Sequence, residues 1–461
     1  MPENQTQPNK PQDRNRTAAG TESAQRAKVP AHKKIYGAES DVIDSVVRSV
    51  KRDSAQRNAP IDDAGAAPQR KKKPVAQQRR ASSGKSFNPT VNHRIEAGWK
   101  RFLDRFKRFR AITAVIIAIV LIVSGVFLDS QSIDVMEAKL TVYGLAEDLQ
   151  GLTILHLSDL NSANFGDEQA QLMRKINTLN YDIVVLTGDM VGRENDPQQL
   201  YKLLEALPSG KPVYFISGDS DPGPFVSVAR DISGTLNEIV LEDWILGAME
   251  RGAIYVDRPV SRQVGSATIW FTPTDMLSTN LTEARALFRD EVEQQEEGIQ
   301  AGIQVDYDAL PFTSYRSALY DESYKSAAAM SDQDLHLSLS HIPPTAEYIA
   351  AMERGIVTEN TEDVQLSRPD LILAGHYCNG VWRLPLIGAL HVSSNTLPRK
   401  GWFPARNQVS GLSTIGDTPL YVSGGLSTNS DTPLLFARIL NHPQISLITL
   451  TGELPESMLG D

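Results

Sequence analysis

Short hydrophobic runs that each end in a polar cluster recur along the chain from about residue 135. They read LTILHLSDL, YDIVVLTGDM, KPVYFISGD, LHLSLSH and DLILAGH. Between the early runs, apolar residues recur at helical spacing over 167–180 and 197–207. Strands that alternate with helices predict an α/β layered fold, in which ligands bind at the carboxyl ends of the strands.

A longer apolar run covers residues 111–128 and contains no charged side chain. Its 18 residues would form a helix of about 27 Å, close to the roughly 30 Å hydrocarbon core of a bilayer. Basic residues precede the run, and Asp129, Asp134 and Glu137 follow it. Because basic flanks stay in the cytoplasm, we predict a single-pass transmembrane helix in the cell membrane, with a cytoplasmic N-terminus and an extracytoplasmic C-terminal domain. A buried core helix is the alternative, although such helices rarely carry one-sided flanking charge.

The N-terminal 90 residues are rich in Gln, Asn, Pro, Arg, Lys and Ala and poor in large apolar residues. This composition predicts a disordered basic cytoplasmic tail over 1–90. Over 91–110, apolar residues recur among Arg and Lys, which predicts a basic amphipathic juxtamembrane helix. These apolar residues are Ile95, Trp99, Phe102, Phe106 and Phe109. Next to a membrane anchor, the basic runs favour contacts with anionic lipid, and no nucleic-acid partner is expected.

Charge divides the chain into two regions of opposite sign. Residues 1–110 contain 25 Lys and Arg against 11 Asp and Glu, whereas the remaining 351 residues contain 21 and 45. This division indicates a basic arm beside an acidic globular body, which we place at 135–461. An acidic insertion at 281–335 interrupts the body and predicts either a helix with a mobile lid or a solvated loop without function. The single cysteine excludes an intramolecular disulfide.

The polar residues at the ends of the apolar runs are candidate ligands for a metal. They are Asp159 with Asn161, Asp189, Asp219 with Asp221, His341, and His376 with Cys378. Members of a pair are separated by one residue, so their side chains are expected to leave an extended chain on the same side. One aspartate after a strand is a common helix cap, but five such ends in series indicate a shared site. Oxygen and imidazole ligands suit a divalent Zn, Mn or Fe ion.

The motifs SDLN, TGDM, SGDSD, LSHIP and AGHYC occur in the order found in calcineurin-like metallophosphoesterases. The chain resembles this family over roughly 148–452, with 281–335 outside the resemblance. The segments NGVWRLPLIGAL and PLYVSGGLSTN resemble its membrane-associated bacterial branch, which includes phosphodiesterases acting on lipid or cell-envelope phosphates. The resemblance implies a β-sandwich flanked by helices that hydrolyses phosphodiesters or phosphomonoesters with a metal-activated hydroxide.

The resemblance also implies a role for individual residues. One metal would be held by Asp189, Asp219, His341 and His376. A second metal would be held by Asp159, Asn161, Asp189 and Cys378, with Asp189 bridging the two. The catalytic positions would be Asp189, Asp219, Ser220 and Asp221. The substrate would be a phosphorylated small molecule or a lipid or envelope phosphate.

Four positions depart from the family pattern. Asn161, Ser220 and Cys378 stand where the family has histidines, and Asp219 stands where it has an asparagine. An amide oxygen is a weaker ligand than imidazole, a thiol binds metal only as thiolate, and Ser220 cannot act as an acid near neutral pH. General acid–base help is typically worth 10²–10⁴-fold.

We therefore predict a strong metal site beside a weak one, in a slow or specialised phosphoesterase. Two alternatives stay open. One is a pseudoenzyme that binds a phosphorylated ligand or a protein partner at the cell envelope, and the other is a domain of this fold that binds no metal.

Overall fold

The computed structural model describes most of the chain after residue 131 and a few residues before it. The described residues are 99–100, 105–110, 112–117, 120, 132–229, 237–303, 309–356, 363–380, 382–384, 386–392, 397–428 and 438–452. The chain divides into two units, Met1–Pro89 and Thr90–Asp461. The predicted disordered tail at 1–90 lies outside the described residues.

Two six-stranded sheets dominate the described part of the second unit. Sheet I contains, in spatial order, β1 (Asp134–Thr141), β16 (Gln444–Thr451), β2 (Thr153–Leu157), β3 (Ile183–Thr187), β4 (Val213–Ile216) and β7 (Ala253–Tyr255). Sheet II contains β14 (Gly411–Ile415), β15 (Thr418–Val422), β11 (Leu371–Ala374), β10 (Leu335–Leu339), β9 (Ala267–Pro273) and β8 (Val260–Val264). Two small hairpins pair β5 (Phe225–Ala229) with β6 (Asn237–Leu241) and β12 (Arg383–Leu384) with β13 (Gly388–Ala389).

Helices of the same part of the chain lie in the connections between strands. They are α1 (Ala170–Ile176), α2 (Gln198–Ala206), α3 (Asp243–Glu250), α4 (Leu281–Gln300), α5 (Leu310–Ala329), α6 (Ala346–Ile356) and α7 (Arg406–Val409). Single 3₁₀ turns occur at Glu147–Leu149, Asp167–Gln169, Thr274–Met276 and Pro398–Gly401. The helices predicted at 167–180 and 197–207 are confirmed as α1 and α2, each shorter than its apolar pattern.

Strand β3 shows why the sheets are buried on both faces. All five of its residues are buried, and successive side chains of a strand point to opposite faces. Ile183 and Val185 belong to the core between the two sheets. Val184 and Leu186 belong to the core between sheet I and its helices. A continuous apolar run is the pattern expected of a parallel strand that is covered on both sides.

The two sheets pack face to face through a central apolar core. Tyr214 of β4 and Phe271 of β9 stack across it with ring centroids 3.7 Å apart and an interplanar angle of 13°. Sheet I packs its other face on Leu172 of α1 and Leu203 of α2. The architecture is therefore a β-sandwich flanked by helices, and the predicted α/β layered fold is confirmed.

The predicted acidic insertion at 281–335 forms two helices that complete the outer layer over sheet II. Leu281 of α4 and Ala327 of α5 join the apolar core that includes Ile372 of β11. Phe288 and Tyr320 stack between the two helices at 5.2 Å. The expected helix is present, and the alternative of a solvated loop is wrong, because both helices bury apolar side chains in the domain. The mobile lid stays a prediction.

The region of the predicted juxtamembrane helix and span is described only in part. Residues 105–110 and 112–117 are helical, and Trp99, Phe106 and Phe109 are exposed. Residues 118–119 and 121–131 lie outside the described ranges. In the part of the chain that the structure describes, no helix has both the length and the apolar character needed to cross a bilayer.

Candidate functional site

The predicted polar residues converge at one edge of the sandwich. Strands β2, β3 and β4 run parallel in sheet I, and β10 and β11 run parallel in sheet II. Because the carboxyl ends of parallel strands meet at one edge, the residues that follow them come together. Asp159, Asp189 and Asp219 follow the three strands of sheet I, and His341 and His376 follow the two strands of sheet II.

Four of these side chains form a compact group, which we name the four-ligand group: Asp189, Asp219, His341 and His376. One candidate ligand atom from each lies within 4.8 Å of the others. Nε2 of His341 is 3.0 Å from Oδ1 of Asp219 and 3.3 Å from Oδ2 of Asp189. Nδ1 of His376 is 3.1 Å from the same Asp219 oxygen. These are the four residues that the sequence assigns to one metal.

The ring of His341 is oriented by the main chain of sheet I. Its Nδ1 lies 2.8 Å from the carbonyl oxygen of Thr187. Since a carbonyl can only accept a hydrogen bond, Nδ1 is the donor, and Nε2 is left to face Asp189 and Asp219. A backbone carbonyl behind the second ring nitrogen is the usual support of a metal-binding histidine.

Charge holds the four-ligand group together. Burial opposes ionisation of Asp219, but hydrogen bonds from His341 and His376 outweigh it and keep the pKa of Asp219 well below its usual range. Burial likewise opposes the charged form of His341, yet Asp189 and Asp219 raise its pKa well above the usual value. An imidazole nitrogen that faces two carboxyl groups at 3.0 and 3.3 Å marks a place that suits a cation, either a protonated imidazole or a metal ion.

The donor set fits a divalent metal. Two carboxylates and two imidazoles converge from four strand ends, and such mixed oxygen and nitrogen sets bind Zn, Mn and Fe. Beside them, Oδ1 of Asp159 and Oγ of Ser220 are buried without a hydrogen-bond partner. Buried polar atoms are rarely left unpaired, so the site is built for a polar occupant.

Five site residues adopt a left-handed backbone conformation that is uncommon for residues other than glycine. Their φ values are 55° at Asp159, 47° at Asn161, 52° at Asp189, 74° at His376 and 48° at Cys378. The expectation of an extended chain is therefore wrong for two of the three pairs, Asp159 with Asn161 and His376 with Cys378. Strained conformations of this kind cluster at functional sites.

Two glycines allow the strand ends to approach closely, and sequence reasoning did not single them out. A Cβ atom on Gly188 would lie 2.7 Å from Cα of Gly218 and 2.8 Å from Nδ1 of His341. A Cβ atom on Gly218 would lie 2.2 Å from Oδ1 of Asp189. The recurring Gly-Asp pair was the available signal, because each glycine immediately precedes a member of the four-ligand group.

The second predicted metal site is less complete. Asp159 is fully buried, and its Oδ2 accepts hydrogen bonds from Oγ of Ser158 at 2.5 Å and from the backbone N–H of His376 at 3.2 Å. Burial raises the pKa of Asp159. Asn161 donates its backbone N–H to the carbonyl of Asp189 at 2.8 Å, and its Nδ2 is buried without a partner. Within the described part of the chain, Asp159 does not belong to the four-ligand group.

Cys378 is buried, and within the described part of the chain it does not belong to the four-ligand group. Its Sγ lies 3.5 Å from the carbonyl oxygen of His376, to which the thiol donates. Burial, and secondarily the charge of Asp159, raises the pKa of the thiol well above its usual value. The side chain is therefore a neutral thiol at neutral pH in the metal-free protein.

The segment after β4 contains a candidate metal ligand, Asp219, and a residue that positions the surrounding loops, Asp221. Asp221 accepts backbone N–H groups from 190–192 and from Gly218 on its two carboxylate oxygens, at 2.8 to 3.3 Å. It thereby holds the loops that carry Asp189 and Asp219 against each other. Ser220 donates its backbone N–H to Oδ1 of Asp189 at 2.8 Å. Both were predicted as catalytic residues, but the contacts of Asp221 are those of a positioning residue.

A buried arginine joins the loop after β15 to the residues before β16, and sequence reasoning missed it. Arg438 donates to carbonyl oxygens of Gly424, Gly425, Ser427, Asn441 and His442. Burial lowers its pKa to about 10. Asn441 in turn donates to the carbonyl of Cys378 at 3.1 Å. Nothing in the sequence signals this network, because Asn441 and Cys378 lie 63 residues apart.

Two known proteins are similar to parts of this chain. A protein from Danio rerio described as a transmembrane protein with metallophosphoesterase domain is 32% identical over 117 residues, which are 24% of this chain and 26% of the relative. The chain thus spans about a quarter of that relative's length. Phosphopantetheinyl hydrolase from Mycobacterium tuberculosis aligns over 60% of this chain and 91% of its own at 10% identity, with a TM-score of 0.30.

The family model for calcineurin-like phosphoesterases matches residues 152–380. This range contains the whole four-ligand group. The chain therefore carries a domain of the calcineurin-like phosphoesterase family.

Proposed function

We propose that the chain is a membrane-anchored, metal-dependent phosphoesterase that hydrolyses phosphodiester or phosphomonoester bonds. The observation that carries the proposal is the four-ligand group, with His341 turned toward both carboxylates by the carbonyl of Thr187. The match to a family of phosphoesterases supports the reaction class. A divalent ion bound there would polarise a phosphoryl oxygen and provide a nucleophile from water at neutral pH.

The residues around the four-ligand group limit the reaction. The backbone N–H of Ser220 fixes one oxygen of Asp189, which leaves the other to face His341. The hydroxyl of Ser220 cannot protonate a leaving group near neutral pH. General acid catalysis is typically worth 10²–10⁴-fold. We therefore expect slow turnover and a preference for leaving groups that need little protonation.

The proposal places the domain at the membrane. It combines a basic cytoplasmic tail at 1–90, an amphipathic helix at 91–110, a span at 111–128 and the catalytic domain at 135–461, outside the cytoplasm. The apolar run and its one-sided basic flank support this arrangement, as does the transmembrane character named for the Danio rerio relative. The substrate is then a phosphorylated small molecule or a lipid or envelope phosphate.

A second candidate function is a pseudoenzyme that binds a phosphorylated ligand or a protein partner at the envelope. The neutral, buried thiol of Cys378 and the amide of Asn161 favour it, because both stand at positions of the weak metal site. In this case the four-ligand group would bind metal without supporting turnover.

Hydrolysis of bis-p-nitrophenyl phosphate by the full chain with added Mn²⁺ tests the proposal. The matched variants are Asp189→Ala and Asp332→Ala, since Asp332 is an exposed aspartate outside the site. We expect turnover that Asp189→Ala abolishes and Asp332→Ala preserves. Bound metal without turnover in the unchanged chain would favour the pseudoenzyme, and turnover that survives Asp189→Ala would place the reaction elsewhere.

Protease added outside intact cells tests the orientation. The predicted arrangement exposes the C-terminal domain to digestion and shields residues 1–90. Digestion of the tail with the domain spared would contradict it.

A further inference from the structure

An apolar patch is exposed on the chain segment that follows the four-ligand group. We name it the hairpin patch and define it as Leu384, Leu386, Ile387, Trp402 and Phe403. Leu386 is 94% exposed, and the other four are between 40% and 56% exposed. Single exposed apolar residues are ordinary, but a contiguous set on a small element marks an interaction surface.

The members of the hairpin patch belong to one small β structure. Strands β12 and β13 pair Leu384 with Gly388. Residues 401–403 run beside the second strand, where Phe403 donates its backbone N–H to the carbonyl of Leu390 at 2.8 Å and Trp402 pairs with His391. The patch residues therefore lie on neighbouring segments of one small β structure.

The tip of the hairpin is an unusual place for a leucine. Leu386 has a φ of 70°, a left-handed conformation that hairpin turns usually give to Gly or Asn. The guanidinium of Arg406 donates to its carbonyl at 2.7 Å and holds the turn. A large apolar side chain at this position adds nothing to the core, so we expect it to contact a partner outside the domain.

Basic residues surround the hairpin patch in an otherwise acidic domain. Residues 371–416 contain no Asp or Glu, whereas residues 111–461 contain 45 of them against 21 Lys and Arg. The basic residues of the segment are Arg383, Arg399, Lys400 and Arg406. Arg399, Lys400 and Arg406 are exposed. Apolar side chains beside exposed cations match the interface of an anionic bilayer.

Strand register places the start of the domain at the same edge as the four-ligand group. Asp134 of β1 pairs with Gln444 at the start of β16, and the two strands are parallel. Strand β16 is antiparallel to β2, so its start lies beside the carboxyl end of β2, where Asp159 follows. A chain that arrives from a span at 111–128 therefore enters the domain at the site edge.

The hairpin patch belongs to that edge as well. Arg383 donates its backbone N–H to the carbonyl of Ile439 at 3.0 Å, five residues before the start of β16. On the other side, a guanidinium nitrogen of Arg383 donates to the carbonyl of Asn379, which follows Cys378. The hairpin therefore bridges the loop that carries His376 and the entry of the chain into the domain.

We propose that the hairpin patch docks into the interface of an anionic bilayer and turns the site edge toward it. Leu386, Ile387 and the aromatic pair Trp402 and Phe403 enter the headgroup region, while Arg399 and Lys400 contact lipid phosphates. The docked domain takes phosphate esters at the level of lipid headgroups. This inference rests on the anchored placement of the proposed function and narrows its substrate to membrane phosphates.

Fluorescence of a label at the hairpin tip tests the docking. The full chain carries Leu386→Cys, modified with the environment-sensitive NBD group, in nanodiscs that hold one copy each. The matched control is Tyr143→Cys, because Tyr143 is 79% exposed and follows β1 at the opposite edge. The unchanged chain treated with the same reagent gives the background from Cys378.

In nanodiscs that contain phosphatidylglycerol, we expect blue-shifted emission, quenching by doxyl lipids and loss of iodide quenching at position 386 but not at 143. Replacing Arg399 and Lys400 by Gln should weaken docking roughly 25-fold, since each cation at an anionic surface contributes roughly fivefold. Hydrolysis of soluble bis-p-nitrophenyl phosphate should be unchanged in the Leu386→Cys chain.

Equal iodide quenching at 386 and 143 would overturn the docking, even if that soluble hydrolysis confirms the phosphoesterase. Equal protection in pure phosphatidylcholine would overturn the contact with anionic headgroups. Protection that appears only when two copies share a nanodisc would identify a second copy as the occupant and overturn the proposal. Unchanged cooperative unfolding of the labelled chain, and the same result at Ile387→Cys, control for misfolding.

Discussion

The two halves of the candidate site are built from the same strand ends but differ in how their side chains meet. In the four-ligand group, carboxylates and imidazoles lie within 4.8 Å and face one another. Around Asp159, Asn161 and Cys378, the carboxylate faces backbone and serine donors, and the thiol donates to a carbonyl. Strand topology is therefore enough to bring residues to one edge. Whether they can share an ion depends on which donor atoms their side chains carry.

The largest contrast is expected between two ligand deletions. His341→Ala removes the nitrogen that faces both carboxylates, so we expect loss of bound metal and a fall in turnover on the order of a thousandfold or more. Cys378→Ala removes a neutral thiol outside the four-ligand group and should keep the metal, with turnover lowered less than about tenfold. Metal analysis beside kinetics checks both variants. Loss of metal in Cys378→Ala would make the thiol a ligand and erase the contrast.

Two glycine substitutions, one in each half of the candidate site, are expected to have the same effect on stability but different effects on metal affinity. Gly188→Ala forces a methyl group against His341, while Gly192→Ala, on the weaker half, forces one to 2.8 Å from Oδ1 of Asn161. Each should lower the free energy of unfolding by about 3 kcal/mol, from left-handed strain plus overpacking. Only Gly188→Ala should lower metal affinity.

Gly210→Ala is the control for that pair, because its φ is also positive at +88° but its Cβ would meet nothing within 4 Å. It should cost about 1 kcal/mol from backbone strain alone. Denaturant unfolding with metal titration measures all three. Equal metal loss in the Gly188 and Gly192 variants would show that the halves act as one unit.

Acid sensitivity is expected from core histidines and not from the site. Burial lowers the pKa of His336 to about 4 and that of His156 to about 3. Since the unfolded value is about 6.5, the unfolded chain binds protons first, and the stability present above pH 6.5 is lost as the pH falls below it. Each histidine should cost roughly 2 kcal/mol between pH 7 and pH 5.

Unfolding of the metal-free chain across this pH range, beside His336→Gln, measures the effect. The variant should lose about half of the pH dependence that the two core histidines produce. If the free energy of unfolding of the variant depended on pH as steeply as that of the unchanged chain, the acid sensitivity would come from other groups, such as those of the site.

The smallest effect is expected at Ser220, where a histidine would supply a proton donor and raise turnover. Ser220→His should raise turnover about tenfold, the lower part of the range for general acid catalysis, because the position is only 6% exposed and must rearrange to hold a larger ring. Ser220→Gln, of comparable length without an acid, is the control. A similar gain in both variants would exclude proton donation as the reason.

Much of the architecture follows from the sequence. The apolar runs that precede Asp159, Asp189 and Asp219 became β2, β3 and β4, because continuous burial on two faces leaves a clear signal. The grouping of Asp189, Asp219, His341 and His376 was also predicted, from the family resemblance, and the structure brings these four side chains together.

Other features could not be predicted from the sequence, because they depend on the conformation of loops. The four backbone N–H groups bound by Asp221 come from turns whose conformation no local pattern specifies, so the residue was grouped with the catalytic ones. The hairpin after Cys378 has no alternating apolar pattern that would predict its two-residue strands. The insertion at 281–335 did carry a usable signal, because Asn280 caps α4 by accepting the backbone N–H of Glu283 at 3.1 Å.

The most direct test of the central claim is the number of divalent ions bound per chain. Mass-spectrometric metal analysis after equilibration with Mn²⁺ would compare the unchanged chain with Asn161→His, Cys378→His. We expect one ion in the unchanged chain, held by the four-ligand group, and a second ion once both histidines are supplied. Two ions in the unchanged chain, or none, would contradict this claim.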